Sequence, residues 1–228
     1  MGMVGGPVNQ SVFLTLCVDG HYCEPVFGIC MHEGTHSNGT MTIGGVDESL
    51  AEGPIEYVPS TNRTSWHEME VKHITLTGGE WSKNITVPFG IYANRAILDT
   101  GTNDLLLPTD VYRETRRTIC NDRRLKHCEA FFNNSCFYLS EWEVDAYPDL
   151  TLQLDLGVQL HMTSRDYLLQ SSPAGRPGQY CFGISDGGGF FIIGDTIMQH
   201  YYLVFAPQKV GWGKVNKQTC GSKSITPS

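Results

Sequence analysis

The sequence predicts an all-β fold with one or two short helices. Glycine and proline are abundant, at 25 and 11 of 228 residues, and only 18% of residues are charged. Short apolar segments alternate with turn residues throughout, which is typical of strands joined by tight turns. A hydrophobic content of 40% is enough to bury a core in a chain of this length.

Strand-like segments recur along the whole chain. They cover residues 11–17, 40–44, 55–58, 69–76, 96–98, 190–193, 203–205 and 210–215. The clearest alternation is that of Leu150, Leu152, Leu154 and Leu156, which predicts four leucines on one face of a half-buried strand. No long linker interrupts the pattern, so we interpret the chain as one domain.

One longer helix is predicted after Pro108, where Thr109 or Asp110 can cap its first turn, and it runs to about Cys120. Basic residues cluster on or just after it. They are Arg113, Arg116, Arg117, Arg123, Arg124 and Lys126. The cluster could bind an anion, but a solvated helix face is the more ordinary interpretation. The formal net charge of −8 argues against a nucleic-acid partner.

Cysteine content and sequons indicate the secretory pathway. Eight cysteines with no C-x-x-C pair favour disulfides over a zinc or redox site. N-glycosylation sequons stand at Asn9, Asn38, Asn62, Asn84 and Asn133. We therefore expect an extracellular location or an acidic, lysosome-like vesicle. Residues 1–7 lack the features of a signal peptide, and no stretch approaches the ~18 apolar residues of a membrane span, so we expect a fragment, an incomplete gene product or an isoform.

The residues best suited to chemistry are Asp99-Thr100-Gly101-Thr102. They follow the apolar run 96–98, so a strand ending in a tight turn would present the Asp99 carboxylate at a fixed place. Gly101 permits close backbone approach, and the two threonine hydroxyls can donate hydrogen bonds. Without further support, an aspartate in an ordinary β-turn would be the simpler interpretation.

Residues 96–102 resemble the second active-site segment of the pepsin family of aspartic proteases. Downstream, residues 191–195, 202–205 and 210–212 resemble that family's closing segment. Ile192, Ile193 and Gly194 match its hydrophobic-hydrophobic-Gly element, which in the family passes beneath the catalytic loop.

Other segments extend this resemblance from about Ser11 to Cys220, in family order. Residues 11–16 and 43–47 resemble the stretch that crosses from the first lobe into the second, and residues 147–152 resemble a strand of the second lobe. The resemblance implies the C-terminal lobe of the bilobal pepsin-like fold. Its implied boundaries are 1–38 for the end of the first lobe with the crossing strand and loop, 39–220 for the second lobe, and 221–228 for a tail.

The resemblance also implies an aspartic-type endopeptidase that acts on peptide or protein substrates without a cofactor. Asp99 would be one of two catalytic aspartates. Thr100 would tie the two active-site loops together, and Thr102 would bond the outer carboxylate oxygen. The residues implied to line the primed side of the substrate cleft are Tyr57, Arg95 and Ile97.

Disulfide pairing is partly implied by the same resemblance. Cys136 with Cys181 matches a widespread bridge of the second lobe, and Cys17 with Cys220 is similar to a bridge of the β-secretase branch. The remaining cysteines are paired only by proximity in sequence, as Cys23 with Cys30 and Cys120 with Cys128.

No second Asp-Thr/Ser-Gly and no tyrosine-bearing flap are recognisable in the sequence. We therefore expect a truncated chain that needs a first lobe as its partner and is inactive alone. A symmetric homodimer that brings two Asp99 residues together could restore the pair. A noncatalytic interaction or regulatory fragment, with the same fold, is the alternative from another class.

A competing motif, H-E-x-x-H, spans His32 to His36 and would indicate a zinc peptidase if it lay on a helix. Gly34 and the turn residues 37–39 argue against a helix, and Thr42 stands where a third histidine ligand would be needed. A glycan on Asn38 would also crowd the metal. We therefore expect no metal site.

Overall fold

The structure is a computed structural model that describes residues 24–31, 38–60, 66–79, 81–88, 94–170 and 178–221. Strands dominate the described residues, and the all-β prediction is confirmed. Contacts divide the chain into two compact units, residues 1–69 with 198–228 and residues 70–197. No linker in the sequence marks these limits, and the lobe boundaries at residues 38 and 220 stay a prediction.

The first unit contains a five-stranded antiparallel sheet in the order β2-β1-β15-β16-β3. Its strands are β1 (Phe27–Met31), β2 (Gly39–Ile43), β3 (Glu56–Pro59), β15 (Tyr201–Ala206) and β16 (Lys209–Lys214). A single-turn 3-10 helix, Glu48–Leu50, packs Leu50 into the core beside Tyr202 and Val204.

β1 fills the position between β2 and β15, with Phe27 opposite Ile43 and Met31 opposite Gly39. The resemblance had implied residues 11–16 as the crossing strand, and those residues lie outside the described part of the chain. A hairpin closed over residues 32–38 costs less chain entropy than one closed from residue 17. The apolar run that ends at Cys30 is therefore better placed to pair with β2.

The predicted pairing of the cysteines is also wrong in part. Cys30 of β1 is bonded to Cys220, with 6.0 Å between their Cα atoms, and both are buried. The expected Cys17 to Cys220 and Cys23 to Cys30 bridges are therefore wrong, because each needed a cysteine that this bond occupies. Cys17 and Cys23 lie outside the described residues. Two other expected bridges, Cys136 to Cys181 and Cys120 to Cys128, are present.

The second unit is organised around an eight-stranded sheet in the order β10-β9-β4-β6-β14-β7-β13, with β5 paired to β4 alone. A three-stranded sheet has the order β11-β12-β8. Their bounds are β4 (Glu68–Gly78), β5 (Trp81–Thr86), β6 (Arg95–Leu98), β7 (Leu105–Leu107), β8 (Phe137–Tyr138), β9 (Asp149–Leu154), β10 (Gln159–Met162), β11 (Leu168–Gln170), β12 (Gln179–Phe182), β13 (Ile184–Asp186) and β14 (Phe191–Ile193).

The leucine alternation of β9 holds for three of its four members. Leu150, Leu152 and Leu154 are at most 1% exposed, whereas Leu156 is 74% exposed. The strand ends at Leu154, and Leu156 lies in the 3-10 turn Asp155–Gly157 with a left-handed φ of 55°. Placing Leu156 on the buried face was wrong, because the chain reverses there to enter β10.

Helix α1 spans Thr109–Cys120, as predicted, but its capping differs. Pro108 occupies the N-cap position, and the Thr109 hydroxyl instead donates to Asp186 Oδ1 at 2.7 Å. Four single-turn helices follow: α2 (Cys128–Phe131), α3 (Glu141–Val144), α4 (Ser164–Tyr167) and α5 (Asp195–Met198). Among the described residues, no helix is long and apolar enough to cross a bilayer.

Carboxylates accompany most of the basic cluster around α1. The ion pairs are Arg113–Asp110, Arg116–Glu129, Arg117–Glu114, Arg124–Asp122 and Lys126–Glu143. This pairing favours the solvated-surface interpretation over a dedicated anion site.

Candidate active site

The turn that begins at Asp99 connects β6 to β7 and sits at the end of three adjoining strands. β14 runs parallel to β6, with Ile192 opposite Ile97, and antiparallel to β7, with Ile192 opposite Leu106. The Asp99 backbone N–H donates to the Ile193 carbonyl at 3.2 Å. The aspartate is therefore fixed to the end of the buried strand β14.

Both oxygens of the Asp99 carboxylate accept a hydrogen bond from the turn itself. The Gly101 N–H donates to Oδ1 at 3.0 Å, and the Thr102 hydroxyl donates to Oδ2 at 2.7 Å. The Thr102 N–H closes the turn on the Asp99 carbonyl at 3.1 Å. Two donors, one on each oxygen, fix the direction of the carboxylate. Asp99 remains partly exposed, so a reactant can reach it.

Gly194 lies directly against this turn. A Cβ atom at position 194 would be 2.2 Å from the Thr102 carbonyl oxygen and 2.5 Å from that of Asp104. Real Cβ atoms do not approach backbone that closely, so only glycine fits. Ile193, fully buried, and Ile192 anchor the strand that leads to it.

Two residues that the sequence reasoning did not assign complete the arrangement. The Asp195 N–H donates to the Thr102 carbonyl at 2.8 Å, and Thr196 donates from both its N–H and its hydroxyl to the Asn103 carbonyl at 2.8 Å. These bonds attach the turn to the start of α5. Their position directly after Gly194 was the available signal.

The carboxyl group of Asp195 interacts electrostatically with that of Asp99. Its Oδ1 atom is buried and has no hydrogen-bond partner among the described residues. Burial, together with the negative charge of Asp99, raises the pKa of the Asp195 carboxyl. The environment of Asp195 therefore favours the neutral form of its carboxyl group.

Comparison with known proteins decides the family. The family model for eukaryotic aspartyl proteases matches residues 4–215. The chain belongs to the eukaryotic aspartyl protease family.

Several aspartyl proteases resemble the chain at modest identity. Gastricsin of Mus musculus is 26% identical over 190 residues, which cover 82% of this chain and 45% of gastricsin. Pepsin A of Sus scrofa is 26% identical over 207 residues, or 90% of this chain and 49% of pepsin A. Cathepsin D of Canis lupus familiaris is 27% identical over 177 residues, covering 73% and 38%. The chain thus spans about half the length of these relatives or less, and its assignment to the β-secretase branch stays a prediction.

The other residues predicted for an aspartyl protease site lie at varied places. Thr100 is exposed next to Asp99. Arg95 is half-buried on β6, and Ile97 is only 8% exposed. Tyr57 belongs to the other compact unit, where Lys209 Nζ lies 4.1 Å from its ring centroid. Their roles in the cleft stay predictions.

Two further features of the sequence are the H-E-x-x-H motif and the N-glycosylation sequons. His32 to His36 lie outside the described residues, and the described residues contain no His/Cys/Asp/Glu cluster that could hold a metal ion. Asn9 and Asn62 also lie outside them. Asn38, Asn84 and Asn133 are exposed.

Proposed function

We propose that this chain forms the second lobe of an aspartic endopeptidase and contributes Asp99 as one of its two catalytic carboxylates. The main support for this proposal is the geometry of the Asp99 turn, in which Gly101 and Thr102 each donate a hydrogen bond to one carboxylate oxygen. Such preorganised donors hold a reactive group in place without reorganisation during the reaction. The family membership supports the same role.

In this proposal, Asp99 and a carboxyl group from a first lobe flank one water molecule and share one proton. The ionised carboxylate takes a proton from the water as it attacks the peptide carbonyl carbon. The protonated partner donates a hydrogen bond to the carbonyl oxygen, where negative charge develops. When the tetrahedral intermediate collapses, the C–N bond breaks and the carboxyl group that took the proton from the water gives it to the leaving nitrogen. The bonds from Gly101 and Thr102 hold Asp99 in place through both proton transfers.

The proposed partner is the first lobe of the same protease, because the sequence contains one Asp-Thr/Ser-Gly. Extended peptide or protein chains are the proposed substrates, and no cofactor takes part. The three disulfides among the described residues fit a protein of the secretory pathway. Within that pathway, we propose the extracellular space or an acidic vesicle, since a dyad that shares a proton operates best in acid.

Peptide cleavage at acidic pH tests the proposal. The chain is assayed alone and together with its proposed first lobe, using a quenched peptide library. We expect cleavage only in the second case, with inhibition by a pepstatin-type inhibitor. Asp99→Asn should lower the rate by on the order of 10²–10⁴-fold, the usual contribution of a general acid or base. Asp149→Asn, at a carboxylate 42% exposed on β9, is the matched control.

Each other outcome would overturn the proposal in a defined direction. Cleavage that survives Asp99→Asn but stops with a chelator would favour a zinc site at residues 32–36. Cleavage by the chain alone, rising with the square of its concentration, would favour the Asp99 homodimer. Peptide binding without cleavage in either form would favour a noncatalytic fragment.

A further inference from the structure

Strand β5 has an open edge. It pairs with β4, from His73 opposite Thr86 to Gly78 opposite Trp81, and no other described strand pairs with it. Helix α1 packs beside it, where Lys83 Nζ donates to Glu114 Oε1 at 2.5 Å and to Thr118 Oγ1 at 3.0 Å. An unpaired strand edge presents backbone donors and acceptors that can add a strand from another chain.

Asn84 lies in the middle of this strand, on its solvent side. Asn84 and Thr86 are exposed, whereas Ile85 between them is 4% exposed. Because side chains alternate along a strand, both ends of the Asn84-Ile85-Thr86 sequon face solvent. Among the three sequons in the described residues, this one alone lies within a strand.

The orientation of the Asn84 amide allows the folded chain to carry a sugar on its nitrogen. Thr75 Oγ1, directly across the strand pair, donates to Asn84 Oδ1 at 2.8 Å. This bond occupies the amide oxygen, whereas Nδ2, the atom that carries an N-linked sugar, has no hydrogen-bond partner among the described residues. The bond to Thr75 would persist after glycosylation, because the modified amide keeps its oxygen.

The surroundings of Asn84 have room for a sugar, because Asn84 and its neighbours on the same face of β5, Ser82 and Thr86, are exposed. On the solvent side, the neighbours of Asn84 across and along the strand pair are polar: Thr75, Thr77, Ser82 and Thr86. A glycan there would meet hydroxyl groups and would bury no large apolar side chain.

We propose that Asn84 is N-glycosylated and that its glycan shields the open edge of β5 from pairing with another chain. The Nδ2–C1 bond forms as C1 of a lipid-linked oligosaccharide leaves its pyrophosphate, and the amide proton is released with that leaving group. Transfer takes place on the extended chain, and the fold then positions the sugar at the strand edge. The inference rests on passage through the secretory pathway and does not require protease activity.

Site occupancy is tested by secreting the chain from eukaryotic cells behind a cleavable signal and by mass spectrometry of its glycopeptides. We expect a sugar on the Asn84 peptide of the wild type and of Thr86→Ser, which keeps the sequon. Thr86→Val and Asn84→Gln should carry none. An unmodified Asn84 peptide in the wild type would overturn the proposal, whatever the activity assays show.

The shielding role is tested by sedimentation velocity over a range of protein concentrations. We expect self-association in Asn84→Gln, and also after the folded wild type is enzymatically trimmed to its first sugar. Asn133→Gln, which removes a sequon just beyond helix α2, is the matched control and should behave like the wild type. Equal association of Asn84→Gln and Asn133→Gln, or a trimmed wild type that stays monomeric, would overturn the shielding role.

Discussion

At the residue scale, Thr102 shows how a hydroxyl fixes the carboxylate that is proposed to act in catalysis. Thr102→Val keeps the shape of the side chain but removes the donor to Asp99 Oδ2. Hydrogen bonds to charged groups contribute about 1.5–3 kcal/mol, so we expect a loss of that order in the free energy of unfolding. Urea denaturation measures it. Thr100→Val, at the exposed neighbour, should change it by less than about 0.5 kcal/mol.

Close approach of the backbone restricts position 194 to glycine. Gly194→Ala would drive a Cβ atom into the backbone carbonyl oxygens of Thr102 and Asp104, the first of which also accepts a hydrogen bond from the Asp195 N–H. We expect a loss of at least about 3 kcal/mol or failure to fold. The control is Gly189→Ala, since a Cβ there would meet nothing within 4 Å. Similar melting temperatures for the two variants would contradict this account.

Asp195 makes stability depend on pH. Its pKa is raised in the folded chain, so the folded state holds a proton that the unfolded state releases near pH 4. This contribution is fully present below the unfolded pKa and is lost as pH rises through the folded pKa. Asp195→Asn should therefore lose less stability than the wild type between pH 4 and neutrality. Denaturant titrations of both proteins at pH 4 and at neutral pH measure the free energies of unfolding. An equal loss of stability in the two proteins would contradict the prediction.

At the element scale, sequence patterns located most strands because each buries one face. The patterns failed where the position of a strand depended on the length of a loop or on a reversal of the chain. Two apolar runs precede β2, at residues 11–17 and Phe27–Met31, and the residue pattern alone does not distinguish them. The second run pairs with β2 because the loop that joins them is shorter. Likewise, Leu156 continues the alternation in sequence, but its φ of 55° places it in the reversal before β10.

The site shows the same division. Asp99, Thr102 and Gly194 could be proposed from the sequence because their chemistry resides in the residue types themselves. The contributions of Asp195 and Thr196 come from backbone N–H groups and burial, which any residue type can supply. Thr109 or Asp110 was expected to cap the helix, but Pro108 holds the N-cap position and the Thr109 hydroxyl donates to the carboxylate of Asp186, which is distant in sequence.

At the scale of the whole molecule, disulfides of different span contribute differently. Cys30 and Cys220 are 190 residues apart, whereas Cys120 and Cys128 are 8 apart. In the chain-entropy model, the long bridge stabilises by up to roughly 5 kcal/mol and the short one by about 2.5 kcal/mol. Replacing each pair with serines and measuring urea denaturation tests this order. An equal loss from both double variants would contradict it.

The threading of β14 between β6 and β7 also dictates when the site can form during synthesis. The Asp99 N–H bonds the carbonyl of Ile193, which leaves the ribosome more than ninety residues later. Until that segment emerges, the aspartate turn lacks both its strand partner and the glycine against which it packs. A nascent chain therefore carries the Asp99 motif in an unformed state, and the turn gains its partners only after residue 194 has been synthesised.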